Sequence, residues 1–453
     1  MSTPQGITRR SLLRRAAGAA AASLGGSLAL ERLAAGMGPS NRDLHYVFAY
    51  FSGGWDIILG LDPKDPAVFT EDEVRQTQIQ PAYDQLDLAD ADLVRAGNFT
   101  FGPYIGELTR HADKLAVVRG MSMETLTHEA GRRRFITGKP PSGLLARGSS
   151  AATHLAARLG EAEPIPNLAI QVETYNVDEP NYATGLKANG VDDLVRALRP
   201  GRPALPDSAI AELDGLLRDF SNCAHAQGSP TLQAAESARQ KARQMVERDV
   251  AGLFDFASPD LEALRGRFGI PPGRNGLRSY EAQAALAAQA ITGGVSRVVS
   301  IQVSGGLDTH FSEWSRDQGP RQRQGFDAIA RLIDELESRP YGDTGESWLD
   351  HTVIVGFSEF SRTPLLNDRG GRDHSLTNAC FLCGAKIRGG TVVGASSDRG
   401  MEPQPVNLGT GRVDPGGEVV KPEHVIQTLL HDAGYTDDFA DLRVGPIDAI
   451  RKA

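Results

Sequence analysis

The sequence predicts an α/β fold of three layers, a mainly parallel central sheet between helices, with a helical insertion at about 206–260. Three observations carry this. Short β-branched or apolar runs alternate with amphipathic helical stretches, the order that gives a parallel sheet covered on both faces. Three of those runs end in small or polar residues closed by an acid, at Asp56, Asp308 and Glu359. A composition of 40% hydrophobic residues with 50 Gly and 26 Pro in 453 residues suits a large, loop-rich fold rather than a bundle.

In chain order, the first feature is Thr8-Arg9-Arg10-Ser11-Leu12-Leu13-Arg14, twin arginines ahead of a weakly apolar run from Ala16 to Leu30. This marks residues 1–36 as a twin-arginine export signal, with the translocase as partner and a periplasmic or extracellular destination. No later stretch is long and apolar enough to span a bilayer. Net charge is −9, and −13 once those 36 residues, with five Arg and one Glu, are set aside. That field opposes nucleic acid and anionic membranes.

Residues 44–51 read as the first strand, ending in Ser52-Gly53-Gly54-Trp55-Asp56; residues 61–111 read as loops and short helices. A second strand at 114–119 leads to a helix that starts after Thr127, a candidate N-cap, and stops at Gly138. Residues 167–172 offer another strand. Apolar residues at three- and four-residue spacing over 209–220 and 231–256 read as the helical insertion. A helix at 280–291, a strand at 295–303, a helix at 322–338 and a strand at 352–357 complete the alternation. Three cysteines make no disulfide framework. Cys380 and Cys383 lie three apart in an apolar, strand-like run, so they point to opposite faces and read as core thiols.

The strand ends carry the chemistry. Asp308 and His310 are two apart, so in extended backbone both side chains face one way. Glu359 follows the 352–357 strand, and the loop after it returns Asp373-His374 behind Gly370-Gly371. In open α/β sheets ligands bind at the carboxyl ends of strands. Carboxylates with imidazoles are the ligand set for a divalent ion, Zn, Ca, Mg or Mn, and an excess of carboxylates favours the harder ones. Asp56, Asp308, Glu359 and Asp373 would repel one another if gathered without a cation.

Ser-Gly-Gly-Leu-Asp308-Thr-His310, the segment from Thr352 through Glu359 to Thr363, and Gly-Gly-Arg-Asp373-His374-Ser resemble the family known as domain of unknown function 1501. So do residues 386–394 and the tail 422–430. The resemblance covers most of 44–440, so one domain is expected over 44–450. It implies the alkaline phosphatase and sulfatase superfamily, and with it a metal-dependent hydrolase of small or polymeric phosphate or sulfate esters. Asp56 then matches the first-strand metal acid. Asp308 and His310 resemble an Asp–His ligand pair at shortened spacing, and either Asp373-His374 or Glu359 takes the place of the family's Asp-His pair. Counting back from Thr137-Gly138 puts Arg132 on the sulfatase arginine and His128 on the nucleophile, where imidazole would ligate metal. Two readings stand for Thr125 and Thr127, an activated hydroxyl or helix capping. Two stand for Arg132, Arg133 and Arg134, an anion clamp or an exposed basic face. The alternative to an enzyme is a catalytically silent exported binding or assembly protein that keeps the fold and a structural metal.

Overall fold

A computed structural model describes residues 43–452, apart from 90, 144, 200, 202–204 and 436; the twin-arginine segment lies outside the described residues. Eight strands form the central sheet: β1 (His45–Phe51), β2 (Leu115–Ser122), β3 (Asn167–Ile170), β4 (Leu186–Ala188), β5 (Val298–Ser304), β6 (Thr352–Ser358), β7 (Thr377–Gly384) and β8 (Thr391–Val393). Their order is β8-β2-β7-β6-β1-β5-β3-β4. All pairs are parallel except those made by β7, which runs against both β2 and β6. The link 359–376 contains no helix, and a strand reached without a helical crossover usually returns antiparallel.

The eight principal helices are α1 (His128–Thr137), α2 (Ala151–Leu159), α3 (Val191–Leu198), α4 (Asp207–Ser221), α5 (Pro230–Glu247), α6 (Tyr280–Thr292), α7 (Gly319–Ser338) and α8 (Pro422–Asp432). Side-chain alternation along β1 explains the layering. Val47, Ala49 and Phe51 enter one core with α6 and α7, whereas Tyr46, Phe48 and Tyr50 enter the other with α1, α2 and α8. The second insertion helix ends at Glu247, short of the 256 that periodicity suggests, because Asp249 turns the chain at a positive φ of 47°. Among the described residues no helix is long and apolar enough to cross a membrane.

Three adjacent parallel strands, β6, β1 and β5, deliver their carboxyl ends to one edge. Helix α1 is pinned across that edge. Phe135 stacks on Phe357 at 4.2 Å between ring centroids, and Gly131 lies so close to β6 that a Cβ there would sit 2.3 Å from the Glu359 carbonyl oxygen.

Cys380 and Cys383 are buried on opposite faces of β7, one in each core, and burial pushes the Cys383 thiol up to about 12 and Cys380 higher still. Cys223 is exposed. A thiol reagent added to native protein should therefore label one cysteine per chain and all three after denaturation. Rapid labelling of a second thiol in the native state would contradict the burial.

Candidate metal-binding and active site

Three imidazoles and one carboxylate meet above the β6, β1 and β5 ends. Asp308 Oδ1 lies 3.3 Å from His128 Nε2, 2.9 Å from His310 Nε2 and 3.2 Å from His374 Nε2, and the last two nitrogens are 3.0 Å apart. Each ring has its other nitrogen engaged. His128 Nδ1 faces Glu359 Oε1 at 2.9 Å, His310 Nδ1 faces Asp373 Oδ1 at 2.8 Å, and His374 Nδ1 faces the Leu126 carbonyl at 2.6 Å. Those oxygens accept, so the Nδ1 atoms carry the hydrogens. In the neutral rings the Nε2 lone pairs then converge on one another and on a carboxylate. Arg362 already meets part of this set, donating to Asp308 Oδ1 at 2.8 Å and lying 3.5 Å from His310 Nε2, and the acceptors of His128 and His374 call for a proton or a further cation.

The second ring of contacts fixes the first. Glu359 is 1% exposed, and it also accepts from the Gly53 N–H at 2.9 Å and the Ser358 hydroxyl at 2.9 Å. Gly53 reaches it at a φ of +112°, and a Cβ there would meet the Leu307 backbone nitrogen at 2.7 Å. Burial alone would raise the Glu359 pKa, but the bonds from His128 and from backbone N–H groups outweigh it and hold the acid below its ordinary value. The same partnership lifts His128, against burial, with Asp308 adding to the effect. Burial draws His374 down in spite of the Leu126 carbonyl and Asp308. For Asp308 burial again opposes ionisation, while its hydrogen bonds with Arg362 and His374, and the charges of Arg362 and His128, hold its carboxyl well below the usual range.

Arg362 is the buried cation of the site. It donates to the carbonyls of Gly53 and Gly54 and, at 2.8 Å, to Asp308 Oδ1. Phe360 walls the cluster, its ring 4.2 Å from that of His374 and 4.8 Å from that of His128.

Asp56 is not brought to this cluster. It is fully buried beneath it, paired to Arg372 at 3.2 Å, accepting from the Trp314 indole at 2.9 Å and capping Ile58 at 3.0 Å. Arg372 in turn donates to the carbonyls of Thr363 and Gln80, so the pair locks the loop that carries Asp373 and His374. Asp373 and His374, adjacent in sequence, diverge. His374 enters the cluster, while Asp373 sits outside it on His310 and Arg369. Glu359 also sits behind its histidine, His128, and does not enter the cluster itself.

The chain matches a family model described as Protein of unknown function (DUF1501) over residues 45–436. It belongs to the DUF1501 family. No curated protein sequence matches it. Two solved structures resemble this DUF1501 chain at low identity. One, Ps i-CgsB in complex with k-i-k-neocarrahexaose, is 8% identical, covering 89% of this chain and 75% of its own at a TM-score of 0.39. The other, BT4656 with its substrate D-glucosamine-2-N,6-O-disulfate, is 11% identical, covering 89% and 79% at a TM-score of 0.34. A functional reading therefore rests on the geometry of the site.

The α1 residues divide. Thr127 occupies the N-cap position without a side-chain cap bond, so the capping expected of its hydroxyl is not made; it lines a cleft with Thr125, Glu124 and Arg134. Arg132 donates to Glu173 at 2.7 Å, Arg133 to Glu173 and the Tyr175 hydroxyl, and buried Arg134 to Glu124 and Glu423. All three are tied to the protein's own acids. The signal for Arg362 and Arg372 was their place in Ser-Arg-Thr and Gly-Gly-Arg-Asp-His, where each follows a site residue or precedes one.

Two outcomes follow. Burial would raise the Glu173 pKa, but Arg132, Arg133 and Tyr175 bring it to about 2. Its pairing therefore stabilises fully above the ordinary pKa of 4.5 and is lost as pH falls toward 2. Glu173→Gln should lower stability by about 1–2 kcal/mol at pH 7, after allowance for its partial exposure, and hardly at all near pH 2; equal losses at both would refute the pairing. Gly131→Ala gains about 1 kcal/mol of helix propensity, yet the clash with the Glu359 carbonyl should win and leave a net loss of about 1–2 kcal/mol in thermal or urea unfolding.

Proposed function

We propose that this DUF1501 protein is a zinc-class metallohydrolase of anionic esters, phosphate or sulfate, working outside the cytoplasm after export through the twin-arginine translocase. One observation carries the reading: three Nε2 lone pairs and the Asp308 carboxylate converge while every Nδ1 is held by an acceptor. Metal-ligating histidines have this second-shell pattern. The fit can be tested on spacing. Ligands about 2.0–2.1 Å from a tetrahedral ion lie about 3.3 Å from one another. Among the described residues the ligand atoms of His128, Asp308 and His374 all lie within 4.8 Å of one another. Of these, His310 Nε2 adjoins only Asp308 and His374, at 2.9 and 3.0 Å, and would have to close in to serve as a fourth. Nitrogen-rich donors favour Zn over Ca or Mg.

A bound divalent ion supplies Lewis acidity toward an ester oxygen and lowers the pKa of water. The chain's own residues do the rest. His128, Asp308 and His374 would hold the ion, with His310 next to them. Glu359 and Asp373 orient two of the rings and make their Nε2 atoms more basic. Arg362, anchored by two backbone carbonyls, presents a fixed positive charge beside Asp308 for an anionic oxygen. Phe360 keeps one side of the cluster dry. Among the described residues no hydroxyl or thiol enters the cluster, so attack falls to water and not to Thr127.

That missing side-chain nucleophile also favours the second reading, a silent binding protein that keeps the ion. Metal titration and turnover separate the two. The purified chain should take up Zn stoichiometrically and hydrolyse p-nitrophenyl phosphate or p-nitrophenyl sulfate. His128→Ala and Asp308→Ala should lose metal affinity by at least about 100-fold, Glu359→Gln by about 10–100-fold, and Thr127→Ala should retain it. Tight binding with no turnover above the Asp308→Ala control would leave the silent reading. Unchanged affinity in His128→Ala would remove both.

A further inference from the structure

The helical insertion carries a feature with no part in the site. Helix α4 is tied to α5 through Asp214, which pairs with Arg239 and Arg243 at 2.9 Å each. The stripe beside Asp214 is apolar and open. Ile210, Leu213, Leu216, Leu217 and Phe220 are 37–62% exposed, and no residue of 208–221 is buried. Ile210, Leu213, Leu217 and Phe220 follow one another at spacings of three, four and three. That is the a-d-a-d seam of a coiled coil, a stripe shaped to receive another helix rather than a sheet or a small molecule. No charged residue interrupts it.

We propose that this seam is the interface with a second copy of the chain, α4 packing antiparallel on α4 across a two-fold axis. Two arguments select a second copy as the occupant. The stripe is nearly palindromic about position 215: under an antiparallel two-fold, Ile210 meets Phe220 of the other copy and Leu213 meets Leu217, each contact made twice, as an isologous interface requires. The area is also of the right size. Five large side chains at these exposures leave on the order of 400 Å² of apolar surface per copy, within the roughly 300–600 Å² of the largest patches on monomers, which are often functional. Counted on both copies the seam supplies about 800 Å², the size of a weak, reversible interface.

The dimer is independent of the metal site, and its test does not involve catalysis. Sedimentation velocity on the purified chain from 1 to 100 µM, as order-of-magnitude bounds chosen around a typical micromolar affinity, should show a shift from monomer to dimer. Leu213→Glu/Leu217→Glu should remain monomeric across the range with unchanged far-UV circular dichroism. Val68→Glu, which charges an exposed apolar residue away from α4, should dimerise like the parent chain. Hydrogen exchange over 207–221 in the parent chain should slow as concentration rises. A monomer at the highest concentration, concentration-independent exchange in α4, or a dimer that survives the double substitution would each overturn the proposal. The first of these, together with binding of α4 to lipid vesicles, would assign the seam to a membrane surface instead.

Discussion

The site depends on the burial of one carboxylate. Glu359 sits at the end of β6 with 1% of its surface exposed, a position that would cost several kcal/mol for an unpaired charge. The cost is offset by three donors drawn from separate parts of the chain, His128 on α1, the Gly53 N–H after β1 and the adjacent Ser358 hydroxyl. The need to satisfy that charge is what aligns α1 over the sheet edge and fixes the ring plane of His128. It also explains why glycine is required at two flanking points. Gly131 lets the helix approach the Glu359 carbonyl, and Gly53 brings the β1 loop against the backbone of Leu307, one residue before Asp308.

A second buried pair plays the same part for the other half of the cluster. Asp56 and Arg372 neutralise each other under the loop, with Trp314 closing the carboxylate and Arg372 spanning to Thr363 and Gln80. Breaking such a pair leaves an uncompensated charge, a loss of about 3–5 kcal/mol. His374 is therefore placed by an ion pair anchored at Arg372, two residues before it, and the acid after β1 acts through the loop.

Much of this was legible in the sequence, and what was not has a physical reason. The strand ends, the shared direction of Asp308 and His310, the start of α1 at His128 and the split of Cys380 and Cys383 between faces all follow from period-two alternation and small-residue breaks. Alternation stops where a strand stops. Beyond that point the direction of a side chain is set by which partner reaches it, and Asp56, two residues into irregular backbone after Gly54, found Arg372. Asp373 and His374 diverge for the same reason. The reversed direction of β7 was written in the helix-free link before it, a signal that a reading by helix and strand alternation passes over. Arg132 looked like a ligand clamp because Glu173, its partner, lies in the unpatterned stretch after β3.

These placements bear on the choice of ion. Counting acids along the chain gives four carboxylates against three histidines, a set suited to Ca or Mg. Asp56 is committed to Arg372, Glu359 and Asp373 accept from ring nitrogens, and Arg362 already donates to Asp308. What faces the centre of the cluster is the nitrogen of His128, that of His374 and the Asp308 oxygen that Arg362 shares, with His310 at its side. Under the proposed function, such a nitrogen-rich set would favour a low-coordinate borderline ion over octahedral oxygen ligation. Glu359 and Asp373, two of the carboxylates that suggested a hard ion in the sequence, thus act in the fold as hydrogen-bond acceptors for imidazoles, an arrangement that on the proposed function would make those rings better ligands for a borderline ion.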